Sequence, residues 1–308
     1  MKLIDFHCDT FWAMERQAPL CVDIEKLKNA DSLAQFFACF VYMDDFKGNY
    51  TQGYEHALEM IHNAKVFFEI HQKEIELTEG YEGVLKNHTK RKISAFLTIE
   101  EGGILEGDMS RLECLYDEGV RLMTLLWNYE NCIGYPNSRD RNVMEKGLKP
   151  FGIEVVHRMN ELGMIVDVSH MSDGGFWDTL KYSRKPVVAS HSNARALCNH
   201  PRNLSDDMIR ALAKQGGVIG VNTYPYFVHP SGKASMEFMA DHIAHIYQVG
   251  GEDVLGIGTD FDGYDEGISD FNHIGQMNEF YDVVKKRGFT ERQMEKIWFR
   301  NILRAIKS

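Results

Sequence analysis

The 308-residue chain has no run of about 18 or more consecutive apolar residues, so no segment of it reads as a membrane-spanning helix. Basic side chains are in deficit: 34 Lys and Arg stand against 45 Asp and Glu, a formal net charge of −11. That balance argues against a nucleic-acid backbone or an anionic membrane as the main partner, since both need a net basic face. Seven prolines and 26 glycines are too few for a low-complexity chain, and no internal repeat is visible. The six cysteines (Cys8, Cys21, Cys39, Cys114, Cys132 and Cys198) form no CxxC pair. A disulfide frame and a thiolate zinc site are therefore not expected, and the thiols read as reduced. Met1-Lys2 runs directly into the strand-like Leu3-Ile4-Asp5-Phe6, without the apolar stretch of a secretory signal. The C-terminal Arg300-Asn301-Ile302-Leu303-Arg304 carries no apolar tail for a lipid anchor. The expected address is the cytoplasm.

What is present is an ordinary globular composition, 44% apolar and 26% charged. Near-continuous apolar runs, the mark of strands covered on both faces, lie at Leu3–His7, Gln35–Tyr42, Ile93–Ile99, Val120–Leu126, Met164–Ser169, Pro186–Ser190, Gly217–Asn222 and Val254–Thr259. Helical periods separate them. One is expected over Tyr54–Leu77, one after the capping residues Ser205-Asp206-Asp207, and one after a Thr290/Gln293 capping box. Eight strands, each followed by a helix, predict an α/β fold of one domain over residues 1–308, a (β/α)8 TIM barrel. An open doubly wound sheet is the alternative.

Functional residues of such a barrel sit at the carboxyl ends of its strands. Those ends carry His7-Cys8-Asp9, Glu100-Glu101-Gly102-Gly103, Ser169-His170, Ser190-His191 and Thr259-Asp260-Phe261-Asp262-Gly263. Three histidines and several carboxylates thus converge on one rim, a ligand set for zinc or a similar divalent ion, and for two ions better than one. Strand alternation points His7 and Asp9 the same way and turns Cys8 toward the core. By contrast, His56, His62 and His71 read as helix-surface residues, and His242 and His245 as solvated or capping. Cys114, Cys132 and Cys198 read as small apolar fillers, and Asp262 and Asp265 as loop hydrogen-bonders. Gly102-Gly103 lacks the surroundings of a phosphate loop.

Asp5-Phe6-His7-Cys8-Asp9, Ile165-Val166-Asp167-Val168-Ser169-His170, Ser190-His191-Ser192, Arg202-Asn203 and Gly258-Thr259-Asp260-Phe261-Asp262-Gly263 resemble the membrane (renal) dipeptidase family of the amidohydrolase superfamily. The likeness covers nearly the whole chain in order. It implies a metalloprotease that hydrolyses dipeptides, some with a C-terminal D-residue, by a hydroxide bridging two zinc ions. His7 and Asp9 would bind one ion and His170 and His191 the other. A glutamate after strand three would bridge them; Glu100 is preferred, leaving Glu101 where the family has glycine. Asp260 would carry the proton and Arg202 would hold the substrate carboxylate, the alternative for Arg202 being a surface ion pair. Asn222 and Tyr224 resemble the pocket wall. Trp127 stands where the family places a histidine that helps polarise the carbonyl, leaving that task to Asn128 or to a zinc ion alone. A homodimer is implied by the likeness. Alternatives are a related amidase or lactamase, or a metal-binding barrel with weakened catalysis.

Overall fold

The computed structural model describes residues 1–264, 267 and 269–307. Asp265, one of the expected loop hydrogen-bonders, lies outside the described residues. Nine strands form one parallel sheet: β1 (Leu3–Cys8), β2 (Ser32–Phe40), β3 (Ile75–Leu77), β4 (Ile93–Glu100), β5 (Val120–Thr124), β6 (Ile165–Asp167), β7 (Val188–Ala189), β8 (Val218–Val221) and β9 (Leu255–Ile257). β1 pairs with both β2 and β9, and β2 pairs with β4 from Ala34↔Ser94 to Phe40↔Glu100. Those ladders close the sheet into an eight-stranded ring, so the fold is a TIM barrel and the open sheet is excluded.

The closed ring explains the apolar runs, because every strand is walled by side chains inside and helices outside. Ile4 and Phe6, Phe36, Phe96, Leu122, Val188 and Val218 come from six strands of the ring and meet in one buried cluster. That cluster is the barrel interior. Phe36 stacks on Phe96 with ring centroids 4.4 Å apart, and Phe6 meets Phe36 edge-on at 4.8 Å. Ile302, from the C-terminal helix Asn301–Lys307, joins the same cluster, and Gly256 leaves the room it needs: a Cβ there would lie 2.9 Å from Ile302. A second, larger core fills the space between the strands and helices such as Tyr50–Ile70, whose Ala57, Met60, Ile61 and Ala64 form the inward stripe.

Both expected caps are present. Ser205 accepts from the Met208 N–H, and Thr290 with Gln293 forms a reciprocal capping box. The helix expected to run to Leu77 ends instead at Ile70, and Ile75–Leu77 become β3. β3 pairs with Ile93–Ala95 at the start of β4, while β5 pairs from Leu97 onward. An open stretch of ladder on β4 outcompetes local helical spacing there.

Several strands are shorter than their apolar runs. β6 stops at Asp167, β7 at Ala189 and β9 at Ile257. Beyond those points side chains replace ladder bonds. The buried Asp167 carboxylate accepts from the N–H groups of Ser169 and Ser190, both at 2.9 Å, and Asp5 accepts from the Thr259 N–H at 2.8 Å. Leaving the ladder frees the chain to turn. His170 (φ 69°), Asp260 (φ 62°) and Asp262 (φ 70°) all take left-handed backbone conformations at this rim.

Candidate metal centre

β1, β4, β6, β7 and β9 deliver His7, Asp9, Glu100, His170, His191 and Asp260 to one point on the rim. β1 has a register shift against β2 between Asp5 and Cys8, and at this irregularity His7 and Asp9 turn into the same cluster, with His7 Nε2 3.3 Å from Asp9 Oδ2. Cys8 is fully buried, its thiol 3.4 Å from the Phe36 carbonyl. Glu100 divides its oxygens: Oε2 lies 3.4 Å from His7 Nε2, while Oε1 lies 3.0 Å from His170 Nε2 and 3.4 Å from His191 Nε2. Asp260 Oδ1 is 3.7 Å from His7 Nε2. The donor atoms therefore fall into three overlapping groups: His7, Asp9 and Glu100; Glu100, His170 and His191; His7, His191 and Asp260.

Hydrogen bonds from outside the cluster set which ring nitrogens are free. Ser190 donates to Asp167, so its oxygen accepts from His191 Nδ1–H at 2.7 Å. His170 Nδ1 lies 3.0 Å from Asn128 Oδ1, an oxygen that can only accept. Both rings therefore carry a lone pair on Nε2, and these two nitrogens face each other at 3.0 Å. Burial, with Arg202 near one ring and His7 near the other, holds both histidines below their ordinary value, His170 at about 3. No proton resolves the contact. His7 Nδ1 and Nε2, Asp9 Oδ1 and Glu100 Oε1 are likewise buried without a hydrogen-bond partner. Lone pairs of imidazole and carboxylate aimed at shared points in a buried site fit divalent cations, and the groups that fix the rings do what orienting partners do around a metal.

Glu101 takes no part in this cluster. Its backbone has φ 91°, a conformation that suits glycine, and its buried carboxylate accepts from the N–H groups of Gly103 and Trp127, both at 2.9 Å, and from Asn131 Nδ2 at 2.7 Å. Burial raises it to about 7. The backbone turn thus sends the two adjacent glutamates to different places.

Above the cluster lies a pocket of about 350 Å³. Asp9, Glu100, His170 and Asp260 contribute to its floor; Phe40, Trp127 and Asn128 line one side, and Tyr224, Phe227, Gly263 and Tyr264 the other. Asn222 donates to Asp260 Oδ2 at 2.8 Å, and its own oxygen accepts from the Tyr224 N–H. Asn128 spends its oxygen on His170 and on Asn137 Nδ2. Arg202 is 4% exposed and makes no salt bridge among the described residues, which excludes the surface ion pair. Its guanidinium donates to the His191 carbonyl at 3.2 Å, sits 5.1 Å from the Phe227 ring, and leaves Nε unpartnered. Burial lowers it only to about 10, so it stays charged.

Some site-building residues stand inside the motifs or beside them without a role legible in the sequence. Asp5 and Asp167 hold strand ends, bonding across to neighbouring strands. Gly263 is required because a Cβ there would lie 2.3 Å from Asp9 Oδ2. Phe40 ends an apolar strand and reads as core. Asp262 does bond as a loop residue, accepting from Thr10 at 2.7 Å and from the Cys21 N–H at 2.5 Å. His242 corrects an expectation: it is 1% exposed, with Nδ1 accepting from the Ala194 N–H at 3.1 Å and Nε2 donating to the Val228 carbonyl at 2.9 Å. Its helix, Met236–Gly250, packs that face inward, where a neutral imidazole satisfies two loops. His245 pairs with Asp206 at 2.8 Å. Cys198 is buried, whereas Cys114 and Cys132 are only half-buried.

The family profile for membrane dipeptidases (peptidase family M19) matches residues 1–308. The chain belongs to the membrane dipeptidase family. As a member it is a metallo-dipeptidase with buried His, Glu and Asp metal-binding groups. It is 32% identical over 297 residues to an uncharacterized dipeptidase of Schizosaccharomyces pombe, covering 93% of this chain and 72% of that one. Its fold is similar to a solved metallopeptidase, dipeptidase AC of the same family, with a TM-score of 0.92 at 22% identity, covering 100% of this chain and 98% of that one. A Rhodobacter sphaeroides metallopeptidase, solved with a phosphinate mimic of the dipeptide L-Ala-D-Ala, superposes with a TM-score of 0.90 at 21% identity, covering 100% and 99%.

Proposed function

We propose that this membrane dipeptidase family member hydrolyses dipeptides at the rim cluster, where His7 and Asp9 would hold one zinc ion, His170 and His191 a second, and Glu100 would contribute to both. The observation that carries this reading is Glu100, whose two oxygens face two separate donor sets. Divalent cations bound there supply Lewis acidity toward a carbonyl oxygen and make bound water a nucleophile near neutral pH.

The chain's own residues do the rest. Asn222 holds Asp260 by Oδ2, which leaves Oδ1, on the His7 side, to take a proton from the attacking water and return it to the leaving amine. Arg202 binds the free carboxylate of the substrate, a planar fork meeting a planar anion. Tyr224 walls the pocket beside it. Trp127 brings no titratable group; Asn128 holds His170 through its oxygen, which leaves its Nδ2 hydrogens as the donors for the substrate carbonyl. A C-terminal D-residue is included in the substrate class, on the strength of the L-Ala-D-Ala mimic bound to the Rhodobacter sphaeroides relative. A cytoplasmic homodimer completes the proposal, supported by six free cysteines for the compartment and by family likeness for the assembly. Light scattering on the purified chain tests the dimer.

The function is tested by release of free amino acids from a panel of L-L and L-D dipeptides, at full zinc loading and after chelation. Turnover that chelator abolishes is expected. No release from any dipeptide at full loading would sink the reading.

A further inference from the structure

We propose, building on the dipeptidase reading above, that the Phe40–Trp127 side of the pocket receives the side chain of the substrate's amino-terminal residue and selects large apolar ones. Around the ring, Phe40 ends β2 and Trp127 follows β5, flanking Glu100 at the end of β4. Arg202 follows β7, Tyr224 follows β8 and Tyr264 follows β9, on the far side of the barrel. A dipeptide whose carboxylate sits on Arg202, with its peptide group over the cluster, extends its other residue toward Phe40 and Trp127.

That side is built as a rigid aromatic face. The Trp127 ring lies 5.1 Å from Phe40, 5.5 Å from Tyr42 and 5.2 Å from Tyr129, so it is packed from several directions. Its backbone is pinned as well, because its N–H donates to the buried Glu101 carboxylate at 2.9 Å. A face held in this way loses little freedom when an apolar side chain lands on it. No Lys or Arg is among the residues that line the Phe40–Trp127 side of the pocket, so an acidic side chain directed there finds no basic partner on that face. A small side chain leaves the indole uncovered and forgoes the burial.

The experiment measures kcat/KM for Phe-Ala, Leu-Ala, Ala-Ala and Asp-Ala, and for Ala-Leu and Ala-Phe, with the zinc-loaded parent, Trp127→Ala, Trp127→Phe and Phe40→Ala. The parent is expected to favour Phe-Ala and Leu-Ala over Ala-Ala by roughly tenfold or more, with Asp-Ala poorest. Trp127→Ala and Phe40→Ala should each pull the Phe-Ala to Ala-Ala ratio toward one, and Trp127→Phe should restore most of it. The ratio of Ala-Phe to Ala-Ala should stay unchanged in all variants. Dipeptide turnover without a large-residue preference overturns this proposal alone, as does a Trp127→Ala effect confined to the carboxyl-terminal residue. Absence of turnover on every dipeptide overturns the dipeptidase reading and this proposal with it.

Discussion

The Glu101 carboxylate accepts the backbone N–H of Trp127 at 2.9 Å, tying the loop after β4 to the loop after β5 beneath the pocket. Two further donors, the Gly103 N–H and Asn131 Nδ2, complete its shell. Glu101→Ala takes the acceptor from three donors, of which Asn131 Nδ2 keeps the Leu125 carbonyl at 3.2 Å, at about 1–3 kcal/mol for each N–H that water fails to reach. The expected outcome in chemical denaturation is a loss of about 3 kcal/mol or more. Glu101→Gly removes the same contacts but relieves the left-handed backbone, so it should be more stable than Glu101→Ala by about 1 kcal/mol. Equal stability of the two variants would show that the backbone carries no strain.

Asp260→Asn keeps the shape of the side chain and its place beside Asn222 but removes the proton acceptor. Turnover is expected to fall by about 10² to 10⁴, while metal analysis still finds close to two zinc ions per chain. Loss of metal along with activity would make Asp260 chiefly a ligand.

Arg202 is a buried cation with no salt-bridge partner among the described residues, a costly arrangement that substrate binding relieves. Arg202→Met is therefore expected to match or exceed the parent in thermal stability while raising KM by about 10²-fold or more through loss of a charge-assisted contact. A large fall in melting temperature would argue that its hydrogen bond to the His191 carbonyl is what the fold needs.

Metal removal should destabilise the barrel. Without cations the opposed lone pairs of His170 and His191 and the buried carboxylates of Asp9, Glu100 and Asp260 lose their counter-charge. Ligand binding to the native state alone stabilises by about 2.7 kcal/mol at a free concentration of 100 times Kd. Calorimetry should show the melting temperature falling on chelation and recovering as zinc is returned, saturating near two equivalents. Glu100→Gln should blunt that recovery.

His242 gives stability a pH dependence far from the metal centre. Burial lowers its pKa from 6.5 to about 4, so between those values the unfolded chain binds a proton that the folded one refuses. Stability is therefore highest above pH 6.5 and falls as pH drops toward 4, by up to about 3 kcal/mol from this group. His242→Gln cannot titrate. It should be less stable than the parent at pH 7, and the gap should narrow steadily down to pH 4. A constant gap across that range would refute the assignment.

The barrel was legible because burial on both strand faces leaves continuous apolar runs, and a polar residue ending such a run stands out. His7, Glu100, His170, His191 and Asp260 were all visible in that way. Other features leave no local trace. β3 was hidden inside a helical period because its pairing partner, Ile93–Ala95, lies far along the chain. His242 looks like a surface histidine until two loops are seen bonded to it. Phe40 looks like any core phenylalanine, and its place beside Trp127 depends on a ring that closes between β2 and β4.

By itself the sequence determined which side chains stand at strand ends, since alternation of apolar strand and amphipathic helix is a local property of covalent order and burial. It also determined the chemistry available there: imidazole, carboxylate and one guanidinium. Only the tertiary structure decided which of them meet. Closure of the ring brings five strand ends to one rim. The left-handed turn at Glu101 separates it from Glu100, and the bonds from Ser190 and Asn128 aim the lone pairs of His191 and His170. Those outcomes depend on distances and directions between residues far apart in the chain, and no local pattern encodes them.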